Sequence, residues 1–206
     1  MKIYTLQLGE MGNCTYIVEN DNLGLIIDPS WQMQTIYKTL EENKITPKAV
    51  LLTHGHYDHL TGAEKLLEKY KIKAYIGKED IALSGLPQNL LIVLEGNTTL
   101  EIADMQVNFI HTPGHTPGSY SIKIGNNLFT GDTLFAGSIG RTDFPGGSAK
   151  EMQKSLVLLS KLPKETEVYC GHSYGPSFKT TIGEELKNNP FMQMATREPD
   201  TFGDIL

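Results

Sequence analysis

The alternation of apolar and polar residues along the chain predicts many short β-strands. Runs rich in β-branched or aromatic residues are bounded by Gly, Pro, Asn or Asp, which is typical of strands that end in turns. The run Ala49–Thr53 is almost wholly apolar, which indicates a strand buried on both faces. The predicted strands are Lys2–Leu8, Cys14–Glu19, Leu23–Ile27, Ala49–Thr53, Lys73–Ile76, Gln106–His111, Tyr120–Ile124, Asn127–Thr130 and Glu167–Cys170.

Helical spacing appears between these strands. Apolar residues recur three or four positions apart after Ile36, after Ala63 and after Met152, so we predict a helix in each region. Strands interleaved with helices in this way indicate a mixed α/β fold. Two capping boxes, each a Ser or Thr followed three residues later by Glu, predict further helix starts. These boxes are Ser148 with Glu151 and Thr181 with Glu184.

The chain shows no boundary between domains. It has no internal repeat, low-complexity tract or linker, so we predict a single domain over residues 1–206. Asn188-Asn189-Pro190 should end the helix that opens at Thr181. Residues 190–206 have no clear hydrophobic period, and we expect a tail that lies on the surface or frays.

Composition narrows the classes of function. Hydrophobic residues make up 39% and charged residues 20% of the chain, as in globular proteins. The net charge of −6 disfavours a nucleic-acid partner, because binding to phosphates needs a basic surface. No apolar run approaches the roughly 18 residues that span a membrane, and the start lacks the layout of a secretion signal. We therefore expect a cytoplasmic protein without membrane contact. The two cysteines, Cys14 and Cys170, should then be reduced core residues.

The segment Thr53–His59 has the composition of a metal-binding loop. It carries three histidines and one aspartate directly after an apolar strand. Residues two apart in extended backbone point to the same side, so His54 and His56 can reach one ion. Asp58 and His59 are adjacent where a helix is expected to start, so they point differently and suit a second ion. Four ligands cannot fill the coordination shells of two metal ions, so a site for two ions requires further ligands from elsewhere in the chain.

Three further candidate ligands follow predicted strands elsewhere in the chain. His115, Asp132 and His172 each come shortly after a strand and directly after a glycine. Open α/β sheets usually place their sites at the carboxyl ends of strands. We therefore predict that these three side chains meet the Thr53–His59 loop.

These residues lie within motifs that resemble the metallo-β-lactamase superfamily, and within it the short glyoxalase II-like hydrolases. The ordered motifs are LIIDP, THGHYDHLTG, GHTPGS, GDTLF, GSIGRTDFPGG and CGHSYGPS. They cover nearly the whole chain. The resemblance implies an α/β fold of the αββα sandwich type, with the site at the sheet edges.

The resemblance also implies an activity and a cofactor. We expect hydrolysis of a small-molecule thioester or related ester, of the hydroxyacylglutathione type, by a hydroxide bound to two divalent metal ions. Zinc is the first expectation, with iron or manganese as alternatives, because nitrogen-rich sites accept all three. Asp58 would be a ligand and a candidate proton acceptor. The implied ligands are His54, His56 and His115 for one ion, Asp58, His59 and His172 for the other, and Asp132 as the bridge.

Other activities remain open at this point. Persulfide dioxygenases resemble the chain in HGHYDHLTG, GHTPGS and GRTDF, and a single iron would then use His54, His115 and Asp132. Lactonases or esterases of the same superfamily are further alternatives, as is a metal-binding module without catalysis. The chain stops before the helical extension with which glyoxalase II enzymes bind glutathione, and the loop after His172 is longer than theirs. We therefore expect recognition of glutathione to differ.

Four residues are weaker candidates for the site. Asp28 either orients a histidine or simply forms an Asp-Pro turn. Arg141 and Asp143 either pair with each other under the site or contact an anionic substrate. Tyr57 is a candidate for the substrate mouth. The sequence leaves the exact substrate, the metal and the oligomeric state open.

Overall fold

The computed structural model describes residues 1–175, 177–197 and 202.

The N-terminal half of the chain forms one mixed sheet. The first six strands are β1 (Lys2–Leu8), β2 (Asn13–Asn20), β3 (Leu23–Ile27), β4 (Thr46–Leu51), β5 (Lys73–Gly77) and β6 (Leu91–Leu94). They lie side by side in chain order. Strands β1, β2 and β3 are antiparallel, and β3 to β6 are parallel.

The C-terminal half of the chain forms the second sheet and a small hairpin. Its strands are β7 (Thr98–Ile102), β8 (Met105–His111), β9 (Tyr120–Ile124), β10 (Asn127–Gly131), β11 (Leu134–Phe135), β12 (Ser138–Ile139), β13 (Glu167–Cys170) and β14 (Lys179–Thr181). The order in this sheet is β14-β13-β10-β9-β8-β7, and β10 and β13 run parallel. Strands β11 and β12 form a separate small hairpin.

Helices cover the outer faces of both sheets. They are α1 (Met33–Glu42), α2 (Tyr57–Leu60), α3 (Ala63–Tyr70), α4 (Ile81–Ser84), α5 (Ala149–Leu159), α6 (Ile182–Asn188) and α7 (Pro190–Arg197). Short 3-10 turns span Lys78–Asp80 and Gln88–Leu90. Helices α1 and α3 pack on the first sheet, and α5, α6 and α7 pack on the second. No helix in the described ranges is long and apolar enough to cross a membrane.

Strand alternation explains the two-sheet core. Successive side chains of a strand point to opposite faces. In β2, Tyr16 packs between the sheets, whereas its neighbour Ile17 packs under the helices. In β10, Phe129 and Leu128 divide in the same way. Each fully buried apolar side chain of this size contributes about 1.5–3 kcal/mol. The layers are therefore helix, sheet, sheet and helix, which confirms the predicted αββα sandwich.

The chain beyond α6 differs from the prediction of an unstructured tail. Helix α6 ends at Asn188 as expected, but α7 begins directly afterwards at Pro190. The side-chain oxygen of Asn189 accepts hydrogen bonds from the backbone N–H groups of Phe191 and Met192, at 3.0 and 3.3 Å. Asn is a favoured N-cap, and Pro is tolerated in the first turn. The residues predicted to stop one helix thus also start the next. Within 190–206, only 198–201 and 203–206 lie outside the described residues.

Ser148 and Thr181 are the N-caps of two helices, as the predicted capping boxes require. The Ser148 hydroxyl accepts a hydrogen bond from the Glu151 N–H at the start of α5, and Thr181 does the same for Glu184 at the start of α6. The cysteines, Cys14 and Cys170, are free and buried as expected.

A candidate metal centre

Loops after four strands deliver the predicted ligands to one edge of the sandwich. His54 follows β4, His115 follows β8, Asp132 follows β10 and His172 follows β13. The four strands are interior members of their sheets, so their ends are fixed by neighbours on both sides. Close approach needs small residues here: a Cβ on Gly171 would lie 2.3 Å from the Asp132 Oδ1 atom. A side chain at this position would therefore prevent the two loops from approaching so closely.

The first ligand group consists of His54, His56 and His115. Their ligand atoms all lie within 4.8 Å of one another. The Nδ1 atom of His56 is 2.9 Å from the Nε2 atom of His115. The Nε2 atom of His54 is buried and has no hydrogen-bond partner among the described residues.

The second ligand group consists of Asp58, His59 and His172. Their ligand atoms also lie within 4.8 Å of one another. The Nε2 atoms of the two histidines are 3.1 Å apart. The Asp58 Oδ2 atom lies 3.6 Å from the Nε2 atom of His59 and 3.4 Å from that of His172.

Asp132 lies between the two ligand groups. Its Oδ2 atom is 3.5 Å from the Nε2 atom of His115 and 3.4 Å from that of His172. Its Oδ1 atom is 3.4 Å from the Nε2 atom of His59, and this buried oxygen has no hydrogen-bond partner among the described residues. The structure thus brings all seven predicted ligands together, with Asp132 where a bridging carboxylate would be needed.

Hydrogen bonds at the outer ring nitrogens orient the histidines. The Nδ1 atom of His115 lies 2.7 Å from the Arg141 carbonyl oxygen, and that of His172 lies 3.0 Å from the Met11 carbonyl oxygen. A carbonyl can only accept, so both Nδ1 atoms carry the proton. Each Nε2 atom is therefore left to face the centre.

The same arrangement holds for His54 and His59 of the Thr53–His59 loop, whereas His56 turns its Nδ1 atom towards His115. The Nδ1 atom of His59 is 3.0 Å from the Asp28 Oδ2 atom, which also accepts the Thr53 hydroxyl at 2.5 Å. Because the Thr53 hydroxyl donates its hydrogen bond to Asp28, its oxygen can accept one from the Nδ1 atom of His54 at 3.1 Å. The Nε2 atom of His54 then presents a lone pair to the centre.

The electrostatics of the centre favour a positive charge there. Burial alone lowers the pKa of His172, but Asp132 and Asp58 outweigh it and raise the pKa to about 10. Burial opposes ionisation of both aspartates, yet the nearby histidines lower the pKa of each. In contrast, burial lowers the pKa of His54 well below its ordinary value, which keeps this ring neutral. Anionic carboxylates beside unpartnered nitrogen atoms form a donor set that fits divalent metal ions.

Asp28 contacts the second ligand group without joining it. All three hydrogen bonds to its carboxylate come from protein donors: the Thr53 N–H at 2.8 Å, the Thr53 hydroxyl and His59. Its backbone has a positive φ of 47°, and the chain bends at this residue before Pro29. The contact with His59 is the one that the orienting role of Asp28 requires.

Replacing Asp28 with Asn should weaken metal binding at the second ligand group by about 10–100-fold. An amide nitrogen must then face one of three donors, so the His59 ring loses its fixed orientation. Competition with a chelator of known affinity measures the change. The matched control is Asp143→Asn, because Asp143 is exposed and pairs with Arg141. Equal affinities in the two variants would contradict the orienting role of Asp28.

The remaining sequence candidates lie around the mouth of the centre. Arg141 and Asp143 form a two-pronged ion pair at 2.8 and 2.7 Å, and both side chains are mostly exposed. The guanidinium also lies 4.3 Å from the centre of the Phe144 ring. The Tyr57 side chain is 65% exposed. The pair is therefore on the surface rather than under the site.

Asn13 is a supporting residue that sequence patterns did not identify. Its side-chain amide donates to the Asp58 Oδ2 atom at 2.9 Å. Its carbonyl oxygen accepts from the Trp31 indole N–H at 2.8 Å. Contacts over such long sequence separations leave no local pattern from which they could be predicted.

Asp80 is a second supporting residue that the sequence did not reveal. It is fully buried, yet its carboxylate has no cationic partner among the described residues. Its Oδ2 atom accepts from the Gly55 N–H at 2.8 Å and the Thr116 hydroxyl at 2.6 Å, and its Oδ1 atom accepts from the Gly118 N–H at 2.9 Å. Asp80 therefore ties the loop that carries His54 to the loop that carries His115.

We expect Asp80→Asn to destabilise the metal-free protein by about 1–3 kcal/mol, because at least one buried hydrogen bond is lost. Denaturant unfolding measures this difference. Asp104→Asn is the matched control, since Asp104 is exposed and its positive φ of 58° suits Asn. Metal affinity of the first ligand group should fall with stability in Asp80→Asn and stay unchanged in the control. A neutral Asp80→Asn would show that other contacts hold the two loops.

Comparison with known proteins agrees with this geometry. The sequence model of the metallo-beta-lactamase superfamily matches residues 8–172. The probable polyketide biosynthesis zinc-dependent hydrolase PksB of Bacillus subtilis is 33% identical over 189 residues, which cover 90% of this chain and 84% of PksB.

Solved structures show the same likeness. The structure of ETHE1 from Myxococcus xanthus superposes with a TM-score of 0.89 at 29% identity, covering 100% of this chain and 89% of that one. TTHA1623, solved in a di-iron-bound form, gives a TM-score of 0.81 at 32% identity and covers 91% and 99%. Fold, ligand geometry and family match agree, and the chain belongs to the metallo-β-lactamase superfamily.

Proposed function

We propose that the protein is a hydrolase of thioesters or related acyl bonds that uses two divalent metal ions. The observation that carries this proposal is the pair of ligand groups with Asp132 between them. A site for one ion would not need both groups. Zinc is the first choice of metal, supported by the zinc-dependent hydrolase PksB, and iron the second, supported by the di-iron form of TTHA1623.

The metal ions would contribute two chemical effects. Two divalent ions held by these ligands would lower the pKa of a water molecule towards about 7 and polarise a substrate carbonyl. The surrounding residues hold the ligands in place and keep bulk water away from them. Six of the seven ligand side chains are buried, and His56 is half-buried. The low pKa of Asp58, held down by His172 and His59, favours its role as a ligand over that of a proton acceptor.

The cysteines do not compete with water as nucleophiles. Burial raises the pKa of Cys14 to about 11 and that of Cys170 well above its ordinary value. The thiolate is the reactive form of cysteine. Neither cysteine is therefore suited to attack an acyl group at neutral pH, which favours a reaction in which water attacks directly.

A persulfide dioxygenase is the second candidate. Its single iron would use His54, His115 and Asp132, and the ligand atoms of His115 and Asp132 lie 3.5 Å apart. This activity gives no role to the second ligand group. Because the ligand atoms of that group also lie within 4.8 Å of one another and all three side chains are buried, we rank hydrolysis above oxygenation.

A substrate panel on protein of measured metal content tests the proposal. It contains S-lactoylglutathione, simple acyl thioesters, an ester, a lactone, and glutathione persulfide with oxygen electrode detection. We expect thioester cleavage that chelation abolishes and zinc restores. Oxygen uptake with persulfide and no thioester cleavage would support the dioxygenase. Cleavage of the lactone or ester alone would point to a lactonase or esterase, and no turnover to a metal-binding module.

A further inference from the structure

A cavity of about 570 Å³ opens beside the second ligand group. Two of its lining residues connect it directly to the centre. Tyr57 lies between His56 and Asp58 in the chain, and the carbonyl of Met11 accepts the hydrogen bond from His172 at 3.0 Å. The lining residues are Gly9, Glu10, Met11, Trp31, Gln32 and Tyr57.

The lining of this cavity is suited to an uncharged, apolar group. Met11, Trp31 and Tyr57 offer apolar surface, and the Met11 and Tyr57 side chains are 39% and 65% exposed. Glu10 is the only charged lining residue, and its carboxylate disfavours an anion. The volume lies within the roughly 300–1,000 Å³ of sites for small ligands.

Trp31 forms a fixed wall of the cavity. Its backbone is in the left-handed region at φ 47°, which a bulky residue adopts only when neighbours hold it there. The backbone N–H donates to the Thr61 hydroxyl, and the indole N–H donates to Asn13. The indole also lies against Gly9, where a Cβ would be 2.3 Å from the ring. The wall is thus formed before a ligand arrives.

The surroundings of the first ligand group have a different character. The first ligand group is flanked by Phe144, whose ring centre is 5.7 Å from that of His56, and by the ion pair of Arg141 and Asp143. A charged substrate arm would meet a cation and an anion on that side, whereas Glu10 is the one charged residue that lines the cavity. An uncharged arm finds apolar surface and space on the cavity side.

We infer that this cavity binds the apolar acyl group of the substrate, while the thiol-derived part lies beside the first ligand group. This inference rests on the proposed thioester hydrolysis. It predicts a preference for acyl groups of several carbons over acetyl, because each buried methylene adds to binding in the transition state.

Binding can be measured without turnover, because Trp31 is the only tryptophan of the chain. We expect octanamide, an uncharged probe, to change Trp31 fluorescence saturably in the metal-loaded protein. Met11→Ala removes apolar lining but keeps the carbonyl that holds His172, and it should weaken octanamide binding by about tenfold. The Met11 side chain is partly exposed and lies outside the core, and a denaturation curve checks that the variant folds. Leu158→Ala, at an exposed site on α5, is the control and should bind as the wild type does.

A series of acyl thioesters of N-acetylcysteamine provides the second measurement. From acetyl to hexanoyl, kcat/KM should rise about threefold per methylene in the wild type and more weakly in Met11→Ala. Acetyl thioester cleavage without chain-length dependence or octanamide binding would overturn this inference and leave the proposed function standing. Saturable octanamide binding with no cleavage of any thioester would overturn the proposed function instead, and the cavity would remain an apolar binding site.

Discussion

Asp132→Ala should lower the occupancy of both metal sites and reduce thioester hydrolysis by about a thousandfold or more. The Asp132 carboxylate is within 3.5 Å of nitrogen atoms from both ligand groups, so its loss removes a ligand and a negative charge from each ion. An ion that polarises the reacting groups contributes several kcal/mol, and each 1.4 kcal/mol is worth about tenfold in rate. Elemental analysis after dialysis and a steady-state assay measure the two effects.

The control for this variant is Asp143→Ala. Asp143 also carries a carboxylate beside the mouth, but it is exposed and pairs with Arg141. It should retain both ions. If Asp132→Ala kept two equivalents of metal per chain, Asp132 would not be the bridging ligand.

His56→Ala should abolish activity and leave a folded protein with reduced metal content. His56 supplies the one ligand of the first group that is only half-buried, and its ring is 2.9 Å from His115. Removing it takes a ligand from one ion and leaves the second ligand group intact. We therefore expect loss of about one equivalent of metal, a near-native circular dichroism spectrum and at least a thousandfold lower kcat/KM.

His111→Ala is the matched control for His56→Ala. His111 ends β8, and its Nε2 atom lies 2.9 Å from the Pro117 carbonyl oxygen rather than in the centre. It should keep wild-type metal content and activity. Normal thioester cleavage by His56→Ala would show that His56 is not a ligand. Together, the variants separate the sites, because Asp132→Ala affects both ions and His56→Ala affects one.

Local patterns account for much of the fold. Alternation in runs such as Cys14–Glu19 reports which side chains face each layer, because adjacent residues of a strand point to opposite faces. The nine predicted strands are all present with small shifts at their ends, whereas β6, β7, β11, β12 and β14 were missed. Strands β11 and β12 have two residues each, which is too short for a pattern. The other three are edge strands: β6 is a short, wholly apolar run that does not alternate, and β7 and β14 are partly polar.

The sequence by itself determined the candidate ligands of this protein. The spacing of His54, His56, Asp58 and His59 is a local property of one loop, and His115, Asp132 and His172 stand out because each follows a strand. Only the tertiary structure decided how they meet, with Asp132 between two compact groups, Asp80 joining two loops and Asn13 supporting Asp58. These contacts join residues far apart in the chain. Their positions depend on how two sheets pack, which no local pattern encodes.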